Sequence, residues 1–216
     1  MRILDDGTGT PLARFVRDLD AHTAPTLSTL RPDLDGASAE DIDAAQLGWA
    51  SRIVDEYRSA VRFTSLLADL TAIDAPYPML ATVHRLIGDE LRHAHLCGRL
   101  AAGFGPLDGL VVELDGLGWP RTRDDAAERA LELVVRELVI GEGESLACMR
   151  AYRHATTDPA CRALFDHLLE DEARHFTAGR HLEAMLRATY PRLVPFDDSL
   201  EDVLLEDVRA IRAQHR

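Results

Sequence analysis

The chain contains no lysine and no asparagine, and aromatic residues make up only 6% of its 216 positions. Its 3 cysteines form no Cys-x-x-Cys pair, so a disulfide framework is not expected and a reducing compartment is favoured. No uncharged stretch approaches the roughly 20 apolar residues of a membrane-spanning helix. The first residues do not resemble a signal peptide. We therefore expect a cytoplasmic protein.

The balance of charge excludes a further class of partners. The formal net charge is -13 at pH 7. Because binding to nucleic acid or to an anionic membrane depends on a basic surface, neither is expected as a partner. A chain of 216 residues can bury a core without help from disulfides, and one main domain is the simplest organisation.

The most informative feature of the sequence is a five-residue string that occurs twice. Residues 89–93 and residues 171–175 both read Asp-Glu-x-Arg-His, 82 positions apart. In each copy Glu and His stand at i and i+3, which places both side chains on one face of a helix, roughly 5–6 Å apart at Cβ. One copy is common on a solvated helix. Two matching copies inside apolar helical stretches indicate a pair of metal-binding motifs.

Apolar periodicity predicts four long helices. The first runs from Ser38 to about Thr71, the second follows Pro76, the third begins near Asp125, and the fourth lies between the cap at 158–159 and Pro191. Residues 103–123 are rich in Gly and Pro and predict a long crossover, with a short extended piece at 110–114. Two hairpins joined by one crossover have the connectivity of a ferritin-like four-helix bundle.

The expected domain organisation follows from these helices. The all-α bundle occupies residues 38–190. An N-terminal segment, residues 1–37, contains a short helix at about 10–22, and residues 191–216 contain a fifth helix at about 199–214.

Each long helix has an apolar seam that a single Glu interrupts. The seams in chain order are Trp49, Ile53, Glu56, Ala60, Phe63, Leu67 and Leu70; Leu80, Val83, Ile87, Glu90, Ala94, Cys97 and Ala101; Leu131, Val135, Leu138, Glu142, Ser145, Met149 and Tyr152; and Cys161, Phe165, Leu168, Glu172, His175, Gly179, Leu182 and Leu186.

The hairpins place these Glu residues opposite one another, because residues equidistant from a turn lie side by side. Glu56 and Glu90 are equidistant from the first turn, as Glu142 and Glu172 are from the second. The competing candidate is Glu144. Other residues on the same helix face as Glu144 are not placed to pair with the fourth helix across the second turn, so Glu142 is preferred.

Four carboxylates in an apolar core repel one another and are costly to desolvate. Two divalent cations would neutralise them, and mixed carboxylate and imidazole ligation suits iron or manganese. The alternative is a set of buried salt bridges to Arg52, Arg92 and Arg174.

The motifs resemble those of the ferritin-like di-iron carboxylate superfamily. The Asp-Glu-x-Arg-His form is similar to that of bacterial multicomponent monooxygenase hydroxylases, acyl carrier protein desaturases and the ribonucleotide reductase small subunit, although this chain is much shorter than those oxygenases. The resemblance implies two iron ions, with Mn/Fe and Mn/Mn as variants. It implies that Asp89 and Asp171 accept hydrogen bonds from the His of the opposite half. The ligands it implies are Glu56, Glu90, His93, Glu142, Glu172 and His175.

From this arrangement we predict that Glu90 and Glu172 bridge the two ions. One ion then has Glu56 and His93 as its other ligands. The other ion has Glu142 and His175.

The function implied by the resemblance is that of a non-haem di-iron oxidoreductase. Such an enzyme activates O2 to oxidise or hydroxylate a small organic substrate and takes electrons from an external donor. The alternative is iron handling, as a ferroxidase or a rubrerythrin-like peroxidase. A tRNA-modifying hydroxylase is disfavoured by the acidic charge, and a non-catalytic interaction module would lack stoichiometric metal. Whether two chains pair as a homodimer is open.

Two further features are singled out without a settled use. Gly141 and Gly143 flank Glu142 inside a helix, and each costs roughly 1 kcal/mol relative to Ala. They indicate room for a substrate, a π-bulge or a close helix contact. Cys97 is expected to be a small core residue. No role is assigned to His95, His154, His167 and His181.

Overall fold

A computed structural model describes residues 30–107, 117–118 and 123–193. This part of the chain contains no strand and is dominated by four long helices, which confirms the all-α prediction. The third helix is α-helical at both ends and π-helical in its middle. Pro191–Leu193 forms a short 3-10 turn. The helices are α1 (Ala39–Ala72), α2 (Tyr77–Phe104), α3 (α-helical Ala126–Leu133, π-helical Val134–Gly141, α-helical Glu142–Ala155) and α4 (Pro159–Thr189).

Side-chain caps fix where the helices begin. Ser38 Oγ accepts a hydrogen bond from the Asp41 backbone N–H at 3.1 Å and donates one to Asp41 Oδ2 at 2.6 Å. Asp158 Oδ1 accepts from the Cys161 N–H at 2.7 Å, ahead of the proline that opens α4. These bonds satisfy backbone donors that a helix N-terminus leaves unpaired. The predicted starts of these two helices are confirmed to within one residue.

A tight turn makes α1 and α2 antiparallel. Asp74 adopts a left-handed conformation with φ 53°, and the Ala75 N–H donates to the Leu70 carbonyl at 3.0 Å. Asp tolerates this conformation better than most residues. Pro76 then directs the chain into α2. α1 packs mainly on α2 and α3 mainly on α4, and contacts between the hairpins complete an all-α bundle.

The apolar core consists of two clusters with a gap between them. The gap falls at the same level of the bundle in all four helices, and polar side chains fill it. The Phe63 cluster includes Phe63, Leu66, Leu70, Met79, Val83, Leu131, Leu138, Leu182 and Leu186. The Phe165 cluster includes Trp49, Ile53, Leu96, Leu100, Met149, Leu164, Phe165 and Leu168.

The predicted seams agree with the buried faces at most positions. In α2, Leu80 and Ile87 are only partly buried, and their neighbours Met79 and Leu86 are buried instead.

The seams also differ from the buried faces in α1 and α3. In α1 the fully buried residue is Leu66, whereas Leu67 packs at the edge of the Phe63 cluster. In α3 the prediction for Tyr152 was wrong, because this residue is 56% exposed. It lies in the last turn of α3 and stacks against Phe165 with ring centroids 6.3 Å apart. One face of the ring is therefore covered while the rest remains in solvent.

Several predicted elements lie outside the described residues. These are the short helix at 10–22, the extended piece at 110–114 and the helix at 199–214. The domain limits stay predictions. Among the helices that are described, none has the length and apolarity to span a membrane.

α3 and α4 approach each other closely at Gly179. A Cβ added there would lie 2.6 Å from Leu138 Cβ and 3.0 Å from the Leu138 carbonyl carbon and oxygen. Backbone atoms cannot move aside as a flexible side chain can, so only Gly fits this position. The crossing brings α3 close to α4 within two helical turns of the polar layer.

We predict that Gly179→Ala lowers the free energy of unfolding by about 1–3 kcal/mol through overpacking. Gly48→Ala is the matched control, because an added Cβ there meets nothing within 4 Å. It should raise stability by about 0.5–1 kcal/mol. Urea unfolding of the metal-free chain measures both values, and equal effects in the two variants would contradict the close crossing.

Candidate metal centre

Six acidic and imidazole side chains fill the gap between the two apolar clusters. Each helix contributes at least one of them, and none is more than 6% exposed. The set comprises Glu56, Glu90, His93, Glu142, Glu172 and His175. These are the six residues predicted as ligands, and the structure brings all of them together.

The six residues form two groups that share two members. Within each group, one donor atom per residue lies within 4.8 Å of all the others. Glu56 and His93 belong only to the first group, whereas Glu142 and His175 belong only to the second. Glu90 and Glu172 belong to both groups. These buried groups could hold metal ions, and their shared carboxylates lie where bridging ligands would be needed.

Both imidazoles turn the same nitrogen toward the carboxylates. His93 Nδ1 lies 3.6 Å from Glu172 Oε1 and 3.7 Å from Glu56 Oε2. His175 Nδ1 lies 2.9 Å from Glu90 Oε1 and 3.0 Å from Glu172 Oε2. The two rings stack with centroids 5.7 Å apart. Each group therefore contains one Nδ1 directed at its oxygen atoms.

The other nitrogen of each imidazole faces an Asp from the opposite half of the chain. His93 Nε2 donates a hydrogen bond to Asp171 Oδ2 at 3.0 Å. His175 Nε2 approaches Asp89 Oδ2 at 3.5 Å. An acceptor at Nε2 keeps the proton on that nitrogen and leaves the Nδ1 lone pair free for a metal. The crosswise placement agrees with what the resemblance implies, but the expected hydrogen bond is present only at Asp171, because Asp89 makes no hydrogen bond with His175 Nε2.

Several buried polar atoms of the site have no hydrogen-bond partner. Four of them belong to the two groups and face inward: Glu90 Oε1, Glu172 Oε2 and the Nδ1 atoms of His93 and His175. His175 Nε2, which faces Asp89, is a further unpartnered atom. Unsatisfied buried groups of this kind are rare and cost about 1–3 kcal/mol each. All four atoms point into the two groups, where a metal ion would use them as ligands. Carboxylate and imidazole donors together fit iron or manganese.

The pKa values show how the side chains respond to this crowding. Burial and the neighbouring Glu172 raise the pKa of Glu90 to about 8. Burial, Glu172 and Glu90 raise the pKa of Glu142 well above its usual range. Burial alone would lower the pKa of His175, but contacts with Asp89, Glu172 and Glu90 outweigh it and raise that pKa. Without a metal, the site therefore retains protons at neutral pH.

Glu56 differs from the other carboxylates because it has an arginine partner. Arg52, one turn earlier in α1, pairs with Glu56 Oε1. Burial would raise the pKa of Glu56, but Arg52 and His93 lower it to about 2. Arg92 and Arg174 pair with the outer carboxylates Asp89 and Asp171.

The salt-bridge alternative therefore accounts for only one of the four Glu. Within the described residues, Glu90, Glu142 and Glu172 approach imidazoles and pair with no arginine.

The competing α3 carboxylates lie outside the groups that the described residues form. Glu144 is only half-buried. Glu137 is held by Arg62, with Nη1 to Oε2 at 2.7 Å. Glu142 begins the α-helical stretch directly after the π-helical one, and its N–H contacts the Glu137 carbonyl five residues earlier. The π-helical segment changes the register of α3 immediately before the residue that faces the site.

The glycines beside Glu142 fit one of the three uses that the sequence left open. Gly141 ends the π-helical segment, and a Cβ there would lie 3.2 Å from the Arg136 carbonyl oxygen. A Cβ on Gly143 would make ordinary contact with Phe176 at 3.5 Å. A π-helical segment is thus present, whereas the close helix contact occurs at Gly179.

Sequence reasoning missed one residue of the site, His167. Its Nε2 lies 3.6 Å from Asp171 Oδ2, and its ring packs edge-on against His93 with centroids 6.1 Å apart. The spacing of i and i+4 to Asp171 was the available signal. The corresponding position in the first half is Arg85, which is exposed, so the repeat gave no support.

The chain was also compared with known proteins. No protein-family model, curated protein or solved structure matches it.

We predict that metal stabilises the chain more at higher pH. Between pH 4.5, the usual pKa of a Glu side chain, and about pH 8, the folded metal-free chain holds a proton on Glu90 that the unfolded chain has lost. Its stability therefore falls as pH rises through this range. The raised pKa of His175 also makes stability fall as pH rises above 6.5, the usual pKa of a His side chain. Bound metal removes both contributions because it needs deprotonated ligands.

Thermal unfolding with and without Mn(II), between about pH 5.5 and pH 8, measures this effect. The difference in Tm should widen by several degrees as pH rises. Glu90→Gln, whose amide does not titrate, should flatten the pH dependence of the metal-free chain. A metal-free chain that becomes more stable toward pH 8 would contradict the assignment of these shifts.

We predict that Asp171→Asn weakens metal binding by about 10–100-fold and Asp89→Asn by less. Asp171 is 2% exposed and hydrogen-bonded to its imidazole, whereas Asp89 is 14% exposed and lies farther from its own. The control is Asp166→Asn, which should leave the affinity unchanged. Asp166 lies on the same helix as Asp171, is exposed, and pairs with Arg153. Equilibrium dialysis gives the affinities, and equal values in all three variants would exclude a role for the outer carboxylates.

Proposed function

We propose that this chain is a ferritin-like di-metal carboxylate protein. Glu56 and His93 would bind one ion, and Glu142 and His175 would bind the other. Glu90 and Glu172 would bridge the two. The observation that carries this proposal is the pair of buried groups with shared carboxylates and unsatisfied, inward-facing nitrogen and oxygen atoms.

We further propose that the protein is a non-haem di-iron oxidoreductase acting on a small organic substrate. Two iron ions held here would supply the redox chemistry that activates O2. The chain provides four side chains to each position. If each supplied one donor atom, an iron ion held there would keep open positions for exogenous molecules.

The residues around the ligands orient the imidazoles and cover the site. Asp171 accepts a hydrogen bond from His93 Nε2, and Asp89 lies 3.5 Å from His175 Nε2, so that both imidazoles have Nδ1 facing inward. The Phe63 and Phe165 clusters cover the polar layer from both ends of the bundle. A site shielded in this way limits access of bulk water and strengthens the electrostatic interactions inside it.

Burial also bears on the alternative of iron handling. A ferroxidase that feeds a store must release its iron and take up more. Six ligands that are at most 6% exposed favour ions that stay in place. We therefore prefer an oxidoreductase that retains its metals, and the two functions differ in a measurable way.

We predict that the metal-free chain takes up two Fe(II) per chain without oxygen, reacts once with O2 and stays loaded. Iron analysis and optical spectra recorded after desalting follow this sequence. Glu172→Gln removes a shared ligand and should lower retained iron by at least about tenfold, since substitutions around a metal site typically cost about 10–100-fold. Glu144→Gln is the control and should retain two ions.

Two results would contradict the proposal. Continuous oxidation of many equivalents of Fe(II) per chain would establish iron handling instead. Failure to retain any metal in the unaltered chain would leave a bundle without a metal centre and favour an interaction module.

A further inference from the structure

The surroundings of the two metal positions are not equivalent, and Arg52 is the main difference. Its guanidinium pairs with Glu56 Oε1, and the same Nη2 atom lies 3.3 Å from Met149 Sδ. The side chain is 19% exposed, so solvent screens it only partly. A fixed positive charge thus contacts a residue that belongs to one position only.

The repeat within the chain shows what stands in the other half. Glu56 and Glu142 occupy matching places in α1 and α3. The residue four positions before Glu142 in sequence is Leu138, which is fully buried and apolar. Glu137, which the π-helical backbone places one turn before Glu142, is an acid and is paired with Arg62. Within the described residues, Glu142 approaches His175 at 3.9 Å and has no cation like Arg52 beside it. The charge that competes for Glu56 therefore has no counterpart at Glu142.

A second difference acts in the opposite direction but is weaker. His93 is held by Asp171 at 3.0 Å, whereas His175 lies 3.5 Å from Asp89, and the shorter contact favours binding through His93. Both Asp residues are also paired with an arginine, so their charges are similarly compensated. A half-ångström difference in an outer contact counts for less than a full charge on a ligand oxygen.

We propose that Arg52 makes the two positions unequal, so that a divalent ion occupies the Glu142 and His175 position first and the Glu56 and His93 position second, with lower affinity. This inference rests on the proposed di-metal site. Arg52 repels the second ion and competes with it for Glu56. It acts as a positioning residue and is not itself a ligand.

The test is an anaerobic Mn(II) titration that is monitored by calorimetry and by electron paramagnetic resonance. An isolated Mn(II) ion and a spin-coupled pair give different spectra. The unaltered chain should bind two ions in steps whose affinities differ by at least about tenfold, the lower end of what outer partners contribute at metal sites. The isolated-ion signal should accumulate at one equivalent and the pair signal only after it.

Substitution of Arg52 separates charge from structure. Arg52→Gln should tighten the weaker step by about tenfold or more, so that the pair signal appears from the start. Arg52→Lys keeps the charge and should keep the gap between steps. Arg129→Gln is the control, because Arg129 pairs with Asp69 at 2.6 Å, about 20 Å along α1 from Glu56, and should change neither step. Circular dichroism confirms that each variant folds.

Ligand variants assign the order of binding. Glu56→Gln should leave the tighter step intact, whereas Glu142→Gln should weaken it. The inference would be overturned if Glu56→Gln lost the tighter step, or if Arg52→Gln left the difference between the two affinities unchanged. In either case the unaltered chain would still bind two ions. A chain that binds fewer than two ions would refute the proposed site itself, and the stoichiometry distinguishes this result from the others.

Discussion

Mutual repulsion among four buried carboxylates is the constraint on which the rest of this structure depends. Removing each from water costs several kcal/mol, and the two apolar clusters above and below the polar layer offer no compensation. In the metal-free chain, protons, two imidazoles and Arg52 provide the balancing charge. The arrangement still leaves the four inward-facing atoms of Glu90, Glu172, His93 and His175 without hydrogen bonds. A pair of cations would satisfy both the charge and these atoms.

Much of this site could be predicted from the sequence because it repeats. The doubled Asp-Glu-x-Arg-His string identified two helices, and a single Glu in each apolar seam identified the other two. Antiparallel hairpins then fixed which Glu lie side by side, including Glu142 in place of Glu144. The structure places all six residues in one layer. Their role as metal ligands stays a prediction.

The features that sequence reasoning missed lack a repeated signal. His167 has no equivalent in the other half, so it could not be weighed by comparison. The π-helical segment at Val134–Gly141 is one of the three uses that the two glycines left open, and the sequence offered no means of choosing among them. Tyr152 obeyed the periodicity but lies where the bundle ends. Together these differences suggest that a symmetric ligand set is embedded in asymmetric surroundings.

Anomalous X-ray diffraction at the metal absorption edge, from crystals loaded with iron or manganese, tests the central claim most directly. The account predicts two anomalous peaks within the polar layer. One should lie beside Glu56 and His93 and the other beside Glu142 and His175, with Glu90 and Glu172 between them. A peak ligated by Glu144 while Glu142 faces solvent would contradict the account. A single peak outside the layer, or no peak after loading, would do so as well.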